Sequence, residues 1–214
     1  MDIRTESPAD HAAVEALTRE AFWNVYGPGC FEHWLVSVLR HAPAFVPELS
    51  LVAEEGGRII GHAMHTKARI LTDAGAEAEV LCLGPISVLP EAQRQGIGGR
   101  LIAEARERAR ALGYRAIALC GDPAYYGRHG FIPAETKGIR TADDRYAAAL
   151  QVCELFEGAL DGLCGRYEED AAFTVDEAAA EAFDRQFPPK EKLTGTPSQM
   201  RFLELVSQSR PASA

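Results

Sequence analysis

The chain has 214 residues, 47% hydrophobic and 25% charged, a globular composition long enough for one well-buried domain or two small ones, which excludes disorder throughout. A chain of this mass hides roughly 70% of the surface it exposes when unfolded, so its core needs neither disulfides nor metal. Its formal charge of −9 is repelled by phosphate backbones and anionic bilayers, which sets general nucleic-acid and membrane binding aside and favours cationic partners.

Cys30, Cys82, Cys120, Cys153 and Cys164 are odd in number, widely spaced and never C-x-x-C. They read as free thiols of a reducing compartment, with no metal cluster. No apolar segment behind Met1-Asp2-Ile3-Arg4 suits a signal peptide, and no run approaches the ~18 apolar residues of a membrane span. A cytoplasmic protein is expected.

In chain order, Ser7-Pro8 opens a helix: the hydroxyl caps a free amide, and proline is tolerated at the first helical position. Val14, Leu17 and Ala21 then recur at helical spacing, and after Gly27-Pro28-Gly29 a second stripe follows with Phe31, Trp34, Leu35, Val38 and Leu39. Two helices are thus expected before any strong strand. Strand patterning begins at Leu51-Val52-Ala53 and continues through a Gly56-Gly57 turn into Arg58 to Ile70, then through Asp73-Ala74-Gly75 into Val80 to Val88. The last of these contains Gly84-Pro85, and proline inside a paired strand belongs at an edge or bulge, so the ladder should break near residue 85.

A glycine-rich turn leads into a helix from about Gly98 to Leu112, stopped by Gly113. A buried strand, Ala116 to Cys120, follows, then a short helix started by Asp122-Pro123 and ending near Gly130, then an apolar strand from Ala147 to Phe156. This order indicates one mixed α/β domain, antiparallel in its first half with a βαβ crossover in its second. Residues 1–170 are assigned to that domain. Residues 171–214 are a mostly polar extension expected to pack loosely on it or on a partner chain, with a mobile end.

The most informative segment is Val88 to Ile102, where a strand ends, a glycine turn follows and an amphipathic helix begins. Free backbone N–H groups and the positive end of the helix dipole converge there, which makes an anion site. A side chain at Gly96 or Gly98 would hold a phosphate away from the backbone. No G-x-x-x-x-G-K-[ST] string exists, and a Gly96-x-Gly98-x-x-Gly reading fails because the sixth position is Leu101. Both nucleotide-loop readings are excluded. Six arginines against two glutamates between Arg94 and Arg115 make a local +4 in this −9 chain, which suits an anionic ligand, although Arg106 to Arg110 read better as a solvated helix face.

The string Gln93-Arg94-Gln95-Gly96-Ile97-Gly98 matches [QR]-x-x-G-x-[GA], and with Ile86-Ser87-Val88 before it and Tyr126-x-x-x-Gly130-Phe131 after it the chain resembles the GNAT superfamily of N-acetyltransferases over residues 1 to about 156. The resemblance implies a GNAT-like fold with a mixed, mostly antiparallel sheet, a βαβ acyl-CoA-binding unit and flanking helices. It further implies acetyl-CoA as co-substrate and transfer of an acetyl group to a primary amine by direct attack on the thioester. Ile86, Ser87 and Val88 would hold the pantetheine arm, and Gln93, Arg94, Gln95, Gly96, Ile97, Gly98, Gly99 and Arg100 its phosphates. A backbone N–H near Ile86 would face the oxyanion, and Tyr126 would protonate the departing thiolate. The asparagine that the resemblance implies after the strand Ala116 to Cys120 is replaced by Gly121-Asp122-Pro123, and Asp122 there reads as a helix cap.

No base is evident. Where some relatives place a glutamate this chain has Cys82 or Leu83, Glu77 and Glu79 sit too early, and His62 and His65 read as satisfied core partners more readily than as a water relay. A covalent role for Cys120 lacks an activator. Trp23, Tyr26 and Trp34 are candidate acceptor walls, with core packing favoured for Trp34. The acceptor is a small-molecule or peptide amine, and a homodimer is left open. The missing base motivates a competing expectation, a non-catalytic acyl-CoA-binding regulator. A third is a scaffold that docks a partner through its acidic tail.

Overall fold

The computed structural model describes residues 1–212. The chain opens on a strand rather than a helix: Asp2–Thr5 (β1) lies antiparallel to Leu51–Glu55 (β2). Four residues with a single aliphatic side chain carry no local strand signal, so their pairing comes from a partner distant in sequence. The first cap is a reciprocal Ser7–Asp10 pair, in which the Ser7 hydroxyl donates to the Asp10 carboxylate at 2.7 Å and the Asp10 N–H to the Ser7 carbonyl at 2.9 Å. After the short 3-10 turn Pro8–Asp10 come His11–Phe22 (α1) and Glu32–Leu39 (α2).

Arg58–Thr72 (β3) and Glu77–Val88 (β4) are the long antiparallel pair the turns implied. Ile97–Ala111 (α3) then crosses to Ala116–Cys120 (β5), parallel to β4, completing the expected βαβ unit. Pro123–Tyr126 (α4) follows, capped by Asp122, which accepts the Ala124 N–H at 2.9 Å. The short strands Ile132–Pro133 (β6) and Ile139–Arg140 (β7) come next. The expected strand from Ala147 to Phe156 divides instead into Arg145–Ala147 (β8) and Leu150–Glu154 (β9). The division falls where Ala148 donates its N–H to Gln208 at 2.9 Å, so a C-terminal partner captures the first part.

Gly165–Glu168 (β10), Glu177–Asp184 (α5), Pro197–Ser207 (α6) and Ser209–Pro211 (β11) complete the chain. The main sheet runs β1-β2-β3-β4-β5-β9-β6, with β10 on the far half of β3 and β7 beside β10, while β8 and β11 form a separate ribbon. Alternation along β4 divides the core: Leu81 and Leu83 pack with Leu101 and Ile102 of α3 on one face, and Cys82 packs with Ala118 and Tyr167 on the other. Val14, Leu35, Val36 and Leu39 bring α1 and α2 onto Val52 and Met64.

Residues 171–212 are tied to α1 and α2 by specific polar contacts. Asp184 of α5 accepts from the Arg19 guanidinium at 2.6 Å and stands 3.1 Å from His33 Nε2, with the Arg19 side chain only 3% exposed. Trp23 donates its indole N–H to the Glu191 carbonyl at 2.8 Å. The expected mobility of the last few residues falls partly on 213 and 214, outside the described residues. No helix among the described residues is long and apolar enough to cross a membrane, and all five cysteines are free.

Two consequences are measurable. Asp184→Ala strands a buried guanidinium, which costs about 3 kcal/mol, or a Tm lower by roughly 6–12 °C in a chain of this size. An unchanged Tm would show that the tie carries no stability. His65 is completely buried and held by burial at about 4, against ~6.5 in an unfolded chain. A folded-state value below the unfolded one means that its stabilisation is full above pH ~6.5 and is lost as pH falls towards 4. Denaturant unfolding at pH 7 and pH 5 should therefore differ by about 2 kcal/mol from this group, whereas a flat profile would contradict the burial.

Candidate functional site

The central sheet divides in its middle. β4 and β5 pair only at Leu81–Ile117 and Cys82–Ala118. Beyond those positions Pro85 has no N–H to donate, and the β3–β4 register shifts between Ala63 and His65. The expected break near residue 85 is present, and its product is a fork in which one edge of β4 runs on past the end of its pairing with β5. Leu89 donates its N–H back to Ile60 on β3 at 3.0 Å. Successive peptide groups of an extended strand face opposite edges, so the N–H groups of Val88 and Ile86 face the fork. The Val88 carbonyl faces the same way and accepts from Gln93 Nε2 at 3.1 Å. The Ser87 side chain is engaged elsewhere, its hydroxyl 3.1 Å from that of Thr18 on α1.

The glycine turn lies just past the open strand end. Gln93, Arg94, Gln95 and Gly96 are exposed, with Arg94 at φ 61° and Gly96 at φ 83°. Both are left-handed; at Gly96 this costs nothing, and open space surrounds the position where a Cβ would stand. Ile97 is buried beneath, and Arg100 is exposed one turn on, donating to the Met1 carbonyl at 3.3 Å. The positive end of α3 thus faces the turn.

Gly98 and Gly99 also permit a packing contact that the sequence did not indicate. A Cβ on Gly98 would run into the Tyr125 hydroxyl, and one on Gly99 would stand 2.6 Å from His129 Cε1. The two glycines let α4 and the turn after it dock on α3. The basic stretch also divides. Arg106 holds the His129 carbonyl at 2.8 Å, Arg108 pairs with Glu104 at 2.8 Å and Arg110 with Glu107 at 2.6 Å. These three guanidinium groups fix α3 and its neighbours, so Arg94 and Arg100 carry the positive charge of the turn itself. Sequence reasoning missed Arg128, which lies over the Tyr125 ring at 5.4 Å.

Tyr126 packs against Gly121, where a Cβ would strike its ring, and edge-on to Phe131 and Tyr125 with centroids 5.7 and 4.9 Å away. Desolvation pushes its phenol well above the ordinary tyrosine range, so it holds its proton at neutral pH. Tyr125, expected to be the packing tyrosine, is partly buried as well, and burial raises it too. Asp122 caps α4 and also pairs with Arg201 of α6 at 3.1 Å. Nearby, Tyr26 stacks on Phe202 of α6 at 4.8 Å, so α6 and the loop between α1 and α2 form one wall beside Tyr126. Trp23 is occupied by Arg19, 4.3 Å over its ring, and Trp34 packs into the α1–α2 core.

His62 and His65 are completely buried, the first 3.2 Å from the Ser50 hydroxyl and the second donating to the Leu49 carbonyl at 2.9 Å. They are core partners. The Cys120 thiol, at the end of β5, is pushed up to about 12, chiefly by desolvation with Glu169 adding to it, so it is not a thiolate at neutral pH. Glu77 and Glu79 pair with Arg69 and Lys67 at the outer end of β4. Where the sequence offered Cys82, the structure brings a carboxylate from just beyond the end of β10: Glu169 Oε1 lies 3.8 Å from Cys82 Sγ. Among the described residues no cluster of side chains is arranged to hold a metal ion.

Residues 12–131 match the family model described as Acetyltransferase (GNAT) family. The chain is similar to the uncharacterized N-acetyltransferase YhbS of Escherichia coli K12, at 31% identity over 78% of this chain and 95% of that one. It is also similar to the uncharacterized N-acetyltransferase YjhQ of the same strain, at 36% identity over 46% of this chain and 54% of YjhQ. Among solved structures, YhbS from E. coli in complex with CoA superposes with a TM-score of 0.73 at 28% identity, covering 82% of this chain and 92% of that one. A GNAT family acetyltransferase from Brucella melitensis in complex with acetyl-CoA superposes with a TM-score of 0.65 at 36% identity, covering 81% and 97%. With the family model spanning more than half its length and the βαβ unit, glycine turn and forked sheet in place, the chain belongs to the GNAT acetyltransferase family.

Proposed function

We propose that the protein transfers the acetyl group of acetyl-CoA to a primary amine by direct attack on the thioester. The observation that carries this reading is the fork, with the Ile86 and Val88 N–H groups and the Val88 carbonyl facing it beside the positive end of α3. An extended pantetheine arm pairs with such an edge as an added strand would. Gln93, Arg94, Gln95, Gly96, Ile97 and Arg100 supply the anion-binding turn for the pyrophosphate, and Gly98 and Gly99 let the α4 segment close beside it. The structures of relatives holding CoA and acetyl-CoA support the same co-substrate.

In this reading the Ile86 N–H takes the thioester oxygen as negative charge develops on it, a contact strengthened in the transition state. The amine nitrogen bonds to the carbonyl carbon, the carbon–sulfur bond breaks, and Tyr126 gives its proton to the sulfur. A phenol kept protonated by desolvation is suited to that role. The wall of Tyr26, Phe202 and the α1–α2 loop bounds the acceptor, which is a small-molecule or peptide amine.

Tyr126→Phe should lower kcat by about 10²- to 10⁴-fold while leaving acetyl-CoA affinity within about threefold, read by thiol release and titration calorimetry. Unchanged turnover removes Tyr126 from the mechanism. Gly98→Ala should push the Tyr125 hydroxyl aside, cost roughly 1–3 kcal/mol in stability and weaken acetyl-CoA binding. Adding Tyr125→Phe removes the struck oxygen and leaves the ring carbon at 3.7 Å from the new Cβ, so the double variant should regain most of both losses. A double variant no better than Gly98→Ala would contradict that packing.

A further inference from the structure

We infer that Glu169 takes the proton from the acceptor ammonium, a role that rests on the transfer reading above. An alkylamine with a pKa near ~10.4 is protonated at neutral pH, and its nitrogen attacks a thioester only after losing that proton. The fork closes at the Cys82–Ala118 pair. Cys82 lies on the sheet face opposite α3, and Glu169 Oε1 meets its sulfur at 3.8 Å. The carboxylate therefore stands at the closed end of the fork, on the face away from the cofactor helix. Ile86 is four residues up the strand from Cys82, at most ~13 Å along the backbone at ~3.3 Å per residue, so in this proposal the proton passes from the acceptor nitrogen to the carboxylate through water.

The surroundings suit a base. The groups facing Glu169 are Cys82 from β4, Cys120 from β5 and Tyr167 from β10. Desolvation pushes all three up, so all are neutral at pH 7 and none is a cation. A partly desolvated carboxylate without a cationic partner binds its proton more tightly than usual, and Glu169 lies above the ordinary carboxylate range for this reason. The buried Tyr167 hydroxyl, without a hydrogen-bond partner among the described residues, faces the same carboxylate and can donate to its ionised form. Residue 169 as a whole is exposed, so the partly desolvated carboxylate lies at the protein surface rather than deep in the core.

Glu32 is the alternative carboxylate, pushed up to about 7 by burial. It is only 7% exposed, and its Oε2 receives the Phe31 N–H at 3.1 Å, which closes it to an ammonium. The step balances: R–NH3+ passes one proton to the Glu169 carboxylate, and the freed electron pair forms the C–N bond. The carbon–sulfur bond breaks, and the sulfur is protonated by Tyr126. Tyr126 is recharged by the proton that leaves the new amide nitrogen, and Glu169 releases its proton to solvent.

The test measures thiol release by the full-length protein from acetyl-CoA with n-butylamine, spermidine, tyramine and a lysine-containing peptide, from pH 5.5 to 9.5. Glu169→Gln should lower kcat/KM at pH 7 by about 10²-fold and abolish the acid limb that the carboxylate imposes. Its rate should recover as pH approaches the pKa of the amine, and the thermal shift with acetyl-CoA should stay the same. Glu169→Asp should keep the acid limb at a reduced rate. Three results overturn the role of Glu169: a wild-type rate in Glu169→Gln, a lower rate with the acid limb unchanged, or loss of that limb in Glu32→Gln and not in Glu169→Gln. Absence of thiol release by the wild-type protein with every acceptor overturns the transfer reading and this role with it.

Discussion

The structure depends on a strand that cannot be paired along its whole length. β4 is held on one side by β3, yet on the other it meets β5 only as far as Cys82 and Ala118. Pro85 lacks the N–H a ladder would need, and β5 ends at Cys120. Backbone polar groups cannot be left without partners at no cost, so an edge that neither a neighbouring strand nor a bulk side chain covers is a place for a ligand. The glycine turn stands past one end of that edge, Glu169 at its closed end, and Tyr126 on the short helix after β5.

Much of this was legible because it is local. Gly84-Pro85 announced the break, the turn from Gln93 to Gly98 announced the start of a helix, and Asp122-Pro123 announced the cap of α4. Each is a few residues whose conformational preferences need no distant partner. The elements that escaped detection depend on distant contacts. β1 is a strand because β2 lies beside it, and β8 separates from β9 because β11 captures it. Glu169 follows another acidic residue in an unremarkable polar run, and nothing within that run distinguishes it. Only the pairing of β10 with the far half of β3 carries it to Cys82. The glycines show a subtler gap: the motif marked Gly98, but the neighbour that needs its bare Cα is Tyr125, from the helix after the next strand.

The charge distribution also has a sharper physical meaning. The +4 between residues 94 and 115 includes three guanidinium groups that fix α3 through carbonyls and glutamates. Of the three arginines left, Arg115 lies past the opposite end of α3, so the charge beside the turn is that of Arg94 and Arg100 together with the helix dipole. Residues after 171 are polar without being loose, since Asp184 neutralises a buried Arg19 and α6 places Phe202 on Tyr26. The wall beside Tyr126, proposed to bound the acceptor, is accordingly built in part from the segment that looked least structured, and the negative balance of the remaining surface suits the proposed cationic acceptor.

The central claim is that the fork between β4 and β5 holds the reacting thioester. A crystal structure of the protein with acetyl-CoA tests it most directly. The account predicts a pantetheine arm lying along Ile86 to Val88, the acetyl oxygen about 3 Å from the Ile86 nitrogen and the sulfur within hydrogen-bond reach of the Tyr126 hydroxyl. Acetyl-CoA bound elsewhere, with its thioester outside the fork and away from Ile86, would contradict it.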